Sequence, residues 1–167
     1  MSNDRRQIRA HYRGLPELVI LVGLQASGKS TFRARYFADT HVVVSKDAWP
    51  NARNRQRRQM RLVGEALASE RSVVVDNTNP SPSEWEPLLA SARAHSARAV
   101  CYWFPPDLSG SLSRNALREP DTRVPEIGIR ATLKKLTRPR RSDGFDAVYM
   151  VTFDGAGGFD VREDEEG

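Results

Sequence analysis

The sequence predicts an α/β fold, with a five-stranded, mainly parallel sheet that carries helices on both faces. Short, uninterrupted apolar runs alternate along the chain with stretches whose apolar residues recur at helical spacing. Strands buried on both faces are continuous apolar runs, and helices connect parallel strands, so this alternation is typical of a parallel sheet. The predicted strands are 18–22, 41–44, 72–75, 99–104 and 147–153, and the predicted helices are 30–37, 53–69, 84–95, 108–116 and 125–136.

The strand segments are rich in β-branched and aromatic residues, and each helical segment has one apolar face. Ser81-Pro82-Ser83-Glu84 forms a capping box ahead of the third helix, and Pro87 predicts that its regular part begins later. The apolar faces are Phe32 and Tyr36; Met60, Val63 and Leu67; Trp85, Leu88, Leu89 and Ala92; Leu108, Leu112 and Ala116; and Ile129, Leu133 and Leu136.

Length and composition favour one soluble, cytoplasmic domain. The chain has 167 residues, of which 39% are hydrophobic, and its longest apolar run, 18–24, is too short to span a bilayer. Cys101 is the only cysteine, so no internal disulfide forms, as is usual in a reducing cytosol. We expect a flexible basic arm over 1–14, a domain over 15–159 and an acidic tail over 160–167.

The formal net charge is +5, and 22 of the 26 basic residues are arginines. Guanidinium groups bind phosphate oxygens in a bidentate way, so this excess favours phosphate-rich partners. The base composition of the gene explains the arginines equally well on charge alone.

The segment Gly23–Ser30 (GLQASGKS) follows the first predicted strand and fits the pattern G-x-x-x-x-G-K-[ST], the P-loop. Glycines let the backbone approach phosphate, and the exposed amides at the following helix start bind it. Lys29 is expected on the β- and γ-phosphates and Ser30 on Mg²⁺. The fold expected is therefore a three-layer P-loop NTPase sandwich, whose nucleotide contacts are Gly23, Gln25, Ala26, Ser27, Gly28, Lys29, Ser30 and Thr31.

Among P-loop classes, a small ATP-dependent kinase fits the chain best. The guanine motif Asn-Lys-x-Asp of GTPases and the complete signature of ATP-binding cassettes do not occur. Few residues remain for the helical lid domain of an AAA+ motor.

Polar residues follow the second and third predicted strands, where ligands of parallel sheets bind. Asp47 is positioned either to orient an acceptor hydroxyl and take its proton or to cap a following helix. Asp76 resembles a Walker-B carboxylate that would hold Mg²⁺ with Ser30. Asn77 and Asn79 are expected to line the acceptor side of the cleft, or to form an Asx-rich turn ended by Pro80.

Two groups of arginines recur at helical spacing. Arg114 and Arg118 (i, i+4) would form a lid that neutralises charge on the transferred phosphate, or a solvated face paired with Glu119 and Asp121. Arg53, Arg57 and Arg61 would form a stripe beside Asp47 suited to a nucleic-acid backbone, or an ordinary surface helix.

The chain resembles the kinase modules of the polynucleotide kinase/phosphatase family over residues 17–153. GLQASGKST, SKD, VVVDNTNP, SRNALR, VPEIGI and DGFDAVYMV occur in that family's order. The resemblance implies transfer of phosphate from ATP, with Mg²⁺, to the 5′-hydroxyl of DNA or RNA. It implies Lys29 and Ser30 on phosphate and metal, Asp47 as general base, and Arg114 and Arg118 as lid cations, with Asp76 at the strand end.

The chain departs from the family in one residue and in one missing motif. Some members carry an arginine three residues after the base, which binds the acceptor's phosphate; here it is Pro50, and Arg53 is the nearest substitute. The phosphatase motif Asp-x-Asp-x-Thr is also missing. The sequence therefore predicts a polynucleotide 5′-hydroxyl kinase that acts alone or beside repair proteins. The alternatives are a kinase of a small-molecule hydroxyl and an ATP-gated binding module; oligomeric state stays open.

Overall fold

The computed structural model describes residues 14–165, which contain six strands and five α-helices. The predicted basic arm lies outside the described residues except for Gly14. In chain order the elements are β1 (Glu17–Val22), α1 (Lys29–Tyr36), β2 (Val42–Val44), α2 (Arg55–Ala68), β3 (Val73–Asp76), α3 (Pro82–Ala94), β4 (Arg98–Trp103), α4 (Leu108–Ala116), α5 (Glu126–Lys135), β5 (Ala147–Phe153) and β6 (Phe159–Glu163). Short 3₁₀ turns lie at Lys46–Ala48, Pro120–Thr122 and Arg141–Asp143.

The sheet has the order β2-β3-β1-β4-β5-β6, and its first five strands are parallel. The strand β1 lies at the centre, where Ile20 is level with Val75 of β3 and with Cys101 of β4. Every residue of β1 is buried, as expected for a strand covered on both faces. The predicted parallel α/β fold is confirmed.

Alternate residues of β1 enter two separate apolar layers. Leu18 and Ile20 pack in the layer that contains side chains of α2 and α3, including Trp85. Val19 and Leu21 pack in the opposite layer around Phe32 of α1. Because successive side chains of a strand point to opposite faces, the sheet is covered on both sides, which gives the expected three layers.

Two helices begin two residues away from the predicted start, whereas the other three begin within one residue of it. The helix α2 begins at Arg55 instead of 53, because the Asn54 side chain accepts a hydrogen bond from the backbone N–H of Arg57 at 3.2 Å and caps the helix. The helix α3 begins already at Pro82, where a missing N–H costs nothing. Pro87 lies inside the regular helix and removes one of its backbone bonds.

The sheet has a sixth strand where five were predicted. The strand β6 pairs antiparallel with β5 and takes up residues 160–163 of the expected acidic tail. The Asp154 carboxylate accepts hydrogen bonds from the N–H groups of Ala156 and Gly158, and these bonds close the hairpin turn between the two strands. The acidic residues of β6 hid a strand whose anchor is one buried aromatic side chain, Phe159.

Within residues 14–165, every helix is too short or too polar to cross a lipid bilayer.

Phe159 is 4% exposed and contacts the Phe32 ring edge-on, with centroids 5.3 Å apart, whereas Phe153 in the same hairpin is 46% exposed. We expect Phe159→Ala to lower the free energy of unfolding by about 3–5 kcal/mol, because it leaves a cavity in the core. Phe153→Ala is the matched control and costs about 1 kcal/mol, since its ring is half in water. Urea unfolding of both variants measures this difference; equal, small losses would show that β6 is not part of the core.

Candidate active site

The carboxyl ends of β1, β2 and β3 open into a cleft of about 800 Å³. Loops that leave neighbouring parallel strands meet at this edge, which is where parallel sheets bind ligands. The cleft is lined by P-loop residues 25–31; by Lys46, Asp47 and Arg55; by residues 76–81, Ser83 and Glu84; and by Arg114, Arg118, Val124, Ala131, Thr132 and Lys135.

The P-loop is held against the loop that follows β3. The Gly23 N–H donates to the Thr78 carbonyl at 3.0 Å, and a Cβ on Gly23 would lie 2.8 Å from the Cβ of Phe104. Gly28 has a φ of +93° and begins α1. Gly23 is buried beneath the loop, so of the predicted nucleotide contacts only residues 25–31 line the cleft.

Lys29 lies almost entirely buried in this loop, and its ammonium group is turned back onto the loop itself. Its Nζ donates to the carbonyls of Gly23 and Leu24 and to Ser27 Oγ. Burial lowers the pKa of Lys29 to about 8, although the carboxylates of Asp76 and Asp47 oppose this, while the Arg118 charge adds to it. These charges therefore act on Lys29 from around one cleft.

Ser30, Asp76 and Arg33 form a hydrogen-bonded group at the end of β3. Asp76 Oδ2 accepts from Ser30 Oγ and from Arg33 Nε, both at 2.9 Å. A hydroxyl and a carboxylate beside a phosphate loop fit Mg²⁺, which keeps several waters and binds through one or two carboxylates and substrate phosphates. Arg33 was not predicted, although it lies three residues after Ser30 and so on the same face of α1.

Asp47 lies in the 3₁₀ turn directly after β2, and its exposed side chain lines the cleft. The alternative role of helix cap is wrong. Ser45 caps the 3₁₀ turn by accepting from the Asp47 N–H, and Asn54 caps α2. Among residues 14–165, no group donates a hydrogen bond to the Asp47 carboxylate or forms an ion pair with it, so this carboxylate is available to a ligand.

The two asparagines after β3 have structural partners. Asn77 Oδ1 accepts from the Lys46 N–H at 2.9 Å, and its amide nitrogen donates to the buried Gln59 at 2.8 Å. Asn77 thereby fixes the turn that carries Asp47. Asn79 is 2% exposed, has a φ of +43° and donates to the Leu21 carbonyl. The predicted acceptor contact of Asn79 is corrected: its side-chain amide holds the loop to β1, although the residue borders the cleft.

The two lid arginines both reach the cleft from different places. Arg114 lies in the last turn of α4, and its Nε donates to the Ala26 carbonyl at 2.6 Å. The sequence predicted Arg118 one helical turn after Arg114 on the same helix. The helix α4 ends at Ala116, so Arg118 lies in the turn that follows it. Within residues 14–165, neither arginine pairs with Glu119 or Asp121, so the alternative of a solvated, ion-paired face is wrong.

Asn115 closes the lid segment and was missed by sequence reasoning. Its Oδ1 accepts from the Val124 N–H at 2.9 Å, and its Nδ2 donates to the Val124 carbonyl at 2.7 Å. This pair of bonds brings the chain back after the 3₁₀ turn 120–122 and fixes the loop that contains Arg118.

A second, more apolar pocket of about 280 Å³ adjoins the P-loop on its other side. Phe104, Pro105, Pro106, Phe153 and Phe159 line it, with Ser27, Asp107, Val151, Thr152 and Arg114. The Arg114 guanidinium lies over the Phe153 ring, 4.8 Å from its centroid, at the border of both pockets. Arg114 and Ser27 line both pockets, so the apolar pocket adjoins the cleft.

The predicted basic stripe does not form as expected. Arg53 precedes α2, and neither Arg53 nor Arg57 lines the cleft. Arg55 lines it instead, on the same face of α2 as Gln59, while Arg61 pairs with Glu65. The spacing groups arginines on one side of α2, but which side of the helix meets the cleft depends on how α2 packs against the sheet, and packing turns Arg55 to the cleft.

A hydrogen bond joins the P-loop to α5. Gln25 Nε2 donates to Thr132 Oγ1 at 2.9 Å, and Lys135 lies one turn further along the same helix face at the cleft border. The sequence signal for Lys135 is a run of basic residues after Glu126 that contains no acid before Asp143.

This fold and cleft define a P-loop protein of the kinase-like phosphotransferase class. The chain belongs to the AAA_33 family, described as an AAA domain, whose family model matches residues 18–140.

Curated and solved proteins are similar over most of the chain. The bifunctional polynucleotide phosphatase/kinase of Schizosaccharomyces pombe is 26% identical over 141 residues, which cover 82% of this chain and 34% of that protein. The chain thus spans about a third of this relative. A gluconokinase from Sinorhizobium meliloti 1021 has a TM-score of 0.60 at 22% identity, with 83% of each chain covered. A fungal RNA kinase has a TM-score of 0.64 at 15% identity, with 84% of this chain and 39% of that chain covered. These two structures share the fold.

Nucleotide binding to Lys29 is expected to take up a proton above pH 8. Anionic phosphates raise the pKa of this amine from about 8, so at pH 9 about one proton is taken up on ADP binding, and affinity falls as the pH rises further. Calorimetry in two buffers of different protonation enthalpy measures the uptake. Lys29→Met is expected to remove it, and an unchanged proton uptake in that variant would contradict the assignment.

Proposed function

We propose that the protein is an ATP-dependent polynucleotide 5′-hydroxyl kinase. The observation that carries this proposal is the placement of one uncommitted carboxylate, Asp47, on the same cleft as Lys29 and the Ser30–Asp76 pair. A P-loop alone serves hydrolysis or switching equally well. A carboxylate across the cleft that no other described group occupies is what transfer to a hydroxyl requires.

The donor side of the cleft is proposed to hold ATP. The amides of 25–31 and the Lys29 ammonium bind the phosphates, and Lys29 exchanges its loop carbonyls for phosphate oxygens on binding. Ser30 and Asp76 would hold Mg²⁺, which when bound neutralises charge on the β- and γ-phosphates. The apolar pocket beside Phe153 takes the base.

On the acceptor side, Asp47 takes the proton of the 5′-hydroxyl while the hydroxyl oxygen attacks the γ-phosphorus. A new P–O bond forms there, the bond from the γ-phosphorus to the bridging oxygen breaks, and ADP leaves with those electrons. The proton remains on Asp47 until water removes it. Asn77 positions the general base Asp47 indirectly. Its Oδ1 accepts a hydrogen bond from the N–H of the preceding residue, Lys46, at 2.9 Å.

The two lid arginines are proposed to have separate roles. Arg118 lines the cleft together with Lys29, and its charge helps to lower the Lys29 pKa, which supports a role on the γ-phosphate. Arg114 is held between Ala26 and Phe153, where it borders the base pocket. The first therefore stabilises the transferred group and the second binds the nucleotide.

Three observations support a nucleic-acid acceptor. Arg55 and Lys135 line the cleft and form no ion pair among residues 14–165, and Lys46 lines it while paired with Glu84 at 3.6 Å. The curated relative is by name a polynucleotide phosphatase/kinase, and a neighbour of the same fold is an RNA kinase. The runner-up is a kinase of a small hydroxylated molecule. It is favoured by Pro50, which stands where some family members have an arginine for the acceptor's phosphate, and by the similarity to a gluconokinase that covers 83% of each chain.

Asp47→Asn is expected to lower kcat for labelling a 5′-OH oligonucleotide by about 10²–10⁴, because the variant cannot take the proton. Binding of ADP, measured by calorimetry, is expected to stay within about twofold, since Asp47 contacts the acceptor and not the donor. Asp39→Asn makes the same change at an exposed site away from the cleft and serves as the control. Rapid labelling by Asp47→Asn would remove Asp47 as the base.

Arg118→Gln is expected to lower kcat by about 10², the usual effect of removing one group that stabilises transition-state charge. Arg114→Gln is expected mainly to raise the KM for ATP, by about tenfold, because it removes a wall of the base pocket. Steady-state kinetics with both variants separates the two effects. The opposite distribution between kcat and KM would overturn this assignment of roles.

A further inference from the structure

A strongly basic segment leaves the cleft at the end of α5. Between Glu126 and Asp143 the chain has six basic residues and no acid: Arg130, Lys134, Lys135, Arg138, Arg140 and Arg141. We name residues 130–141 the basic segment. It is distinct from the predicted stripe on α2.

Four of these cations are exposed and without a carboxylate partner. Lys134, Lys135, Arg140 and Arg141 form no ion pair with any residue of 14–165, whereas Arg130 pairs with Glu126 and Arg138 pairs with Asp164. Asp143, which follows the segment, accepts from the backbone N–H of Arg140 at 2.8 Å. That carboxylate fixes the backbone turn in which Arg140 and Arg141 are presented to solvent.

The path of the segment connects the cleft with the outside of α3. Lys135 borders the cleft, and the Thr137 N–H donates to the Pro80 carbonyl at 2.7 Å, next to the cleft residue Ser81. At the other end, Gly144 lies beside Leu89 of α3, with the Leu89 side chain 3.5 Å from where a glycine Cβ would be. From Pro82 to Leu89 the helix rises about 10 Å, which is the length of roughly three stacked nucleotides.

We propose that the basic segment binds the phosphodiester backbone of the acceptor strand, on the 3′ side of the nucleotide whose 5′-hydroxyl enters the cleft. The proposal rests on the proposed function. Its occupant follows from charge and continuity: four exposed cations without an ion pair, on a segment that starts at the cleft, match a polyanion whose end lies in that cleft. Backbone contacts of this kind position a strand without reading its sequence.

The test compares two double variants that each lose two positive charges. Arg140→Gln/Arg141→Gln removes cations of the basic segment, and Arg71→Gln/Arg162→Gln removes two exposed cations outside both the segment and the cleft lining. Fluorescence anisotropy without ATP measures binding of a labelled 20-nucleotide 5′-OH strand over a series of salt concentrations. Labelling kinetics then give the ratio of KM for this strand to KM for a dinucleotide.

We expect Arg140→Gln/Arg141→Gln to bind the strand about 20-fold more weakly at 0.1 M salt. Its dependence of log K on log salt becomes less steep by about 1.4, because two backbone contacts are lost. The KM ratio changes in the same direction, with the long strand losing its advantage over the dinucleotide. The control variant is expected to resemble the wild-type protein.

Equal weakening in both variants would show an effect of net charge alone and would overturn the proposal, as would unchanged binding in Arg140→Gln/Arg141→Gln or a wild-type protein that binds no strand. Preferential loss of strand binding, in a protein that phosphorylates no strand, would support the basic segment while removing the kinase function. Phosphorylation with equal KM ratios in all proteins would do the reverse.

Discussion

The position of β1 between β3 and β4 constrains the rest of the structure. The strand β1 is hydrogen-bonded to a neighbouring strand along each edge and is buried on both faces. The residues that follow it therefore leave the sheet at a defined place. The Gly23–Thr78 bond then joins the P-loop to the loop after β3. The Ser30–Asp76 contact follows from this junction, because the start of α1 lies directly above the end of β3.

The cleft built on this junction contains both positive and negative side chains, and some of these have partners within the protein whereas others do not. Asp76 is committed to Ser30 and Arg33, and Lys29 is buried against loop carbonyls that a phosphate can replace. Asp47 and Arg118 have no such partners among residues 14–165. A site with fixed charges on the donor side and an available carboxylate opposite is suited to moving a phosphoryl group between two bound oxygens.

Local patterns predicted the features that depend on neighbouring residues. The P-loop and its lysine, the Asp76 at a strand end and the parallel sheet are each encoded within a few residues, and the structure has them where expected. Arg33, Arg55 and Asn115 were missed because their roles depend on tertiary contacts that local spacing does not contain. Arg33 pairs with Asp76, Arg55 lies on the cleft side of α2, and Asn115 bonds to Val124. The strand β6 was missed because its charges resemble a tail, whereas its pairing with β5 depends on one buried aromatic residue.

The central claim is that this cleft transfers the γ-phosphate of ATP to the 5′-hydroxyl of a polynucleotide. Incubation with γ-labelled ATP and Mg²⁺ and a mixed panel of 5′-OH DNA, 5′-OH RNA, nucleosides and sugar acids tests it most directly, with the labelled product identified by digestion. We expect label on the 5′ end of a nucleic-acid strand. Label on a nucleoside or sugar acid alone, or only on inorganic phosphate, would contradict it.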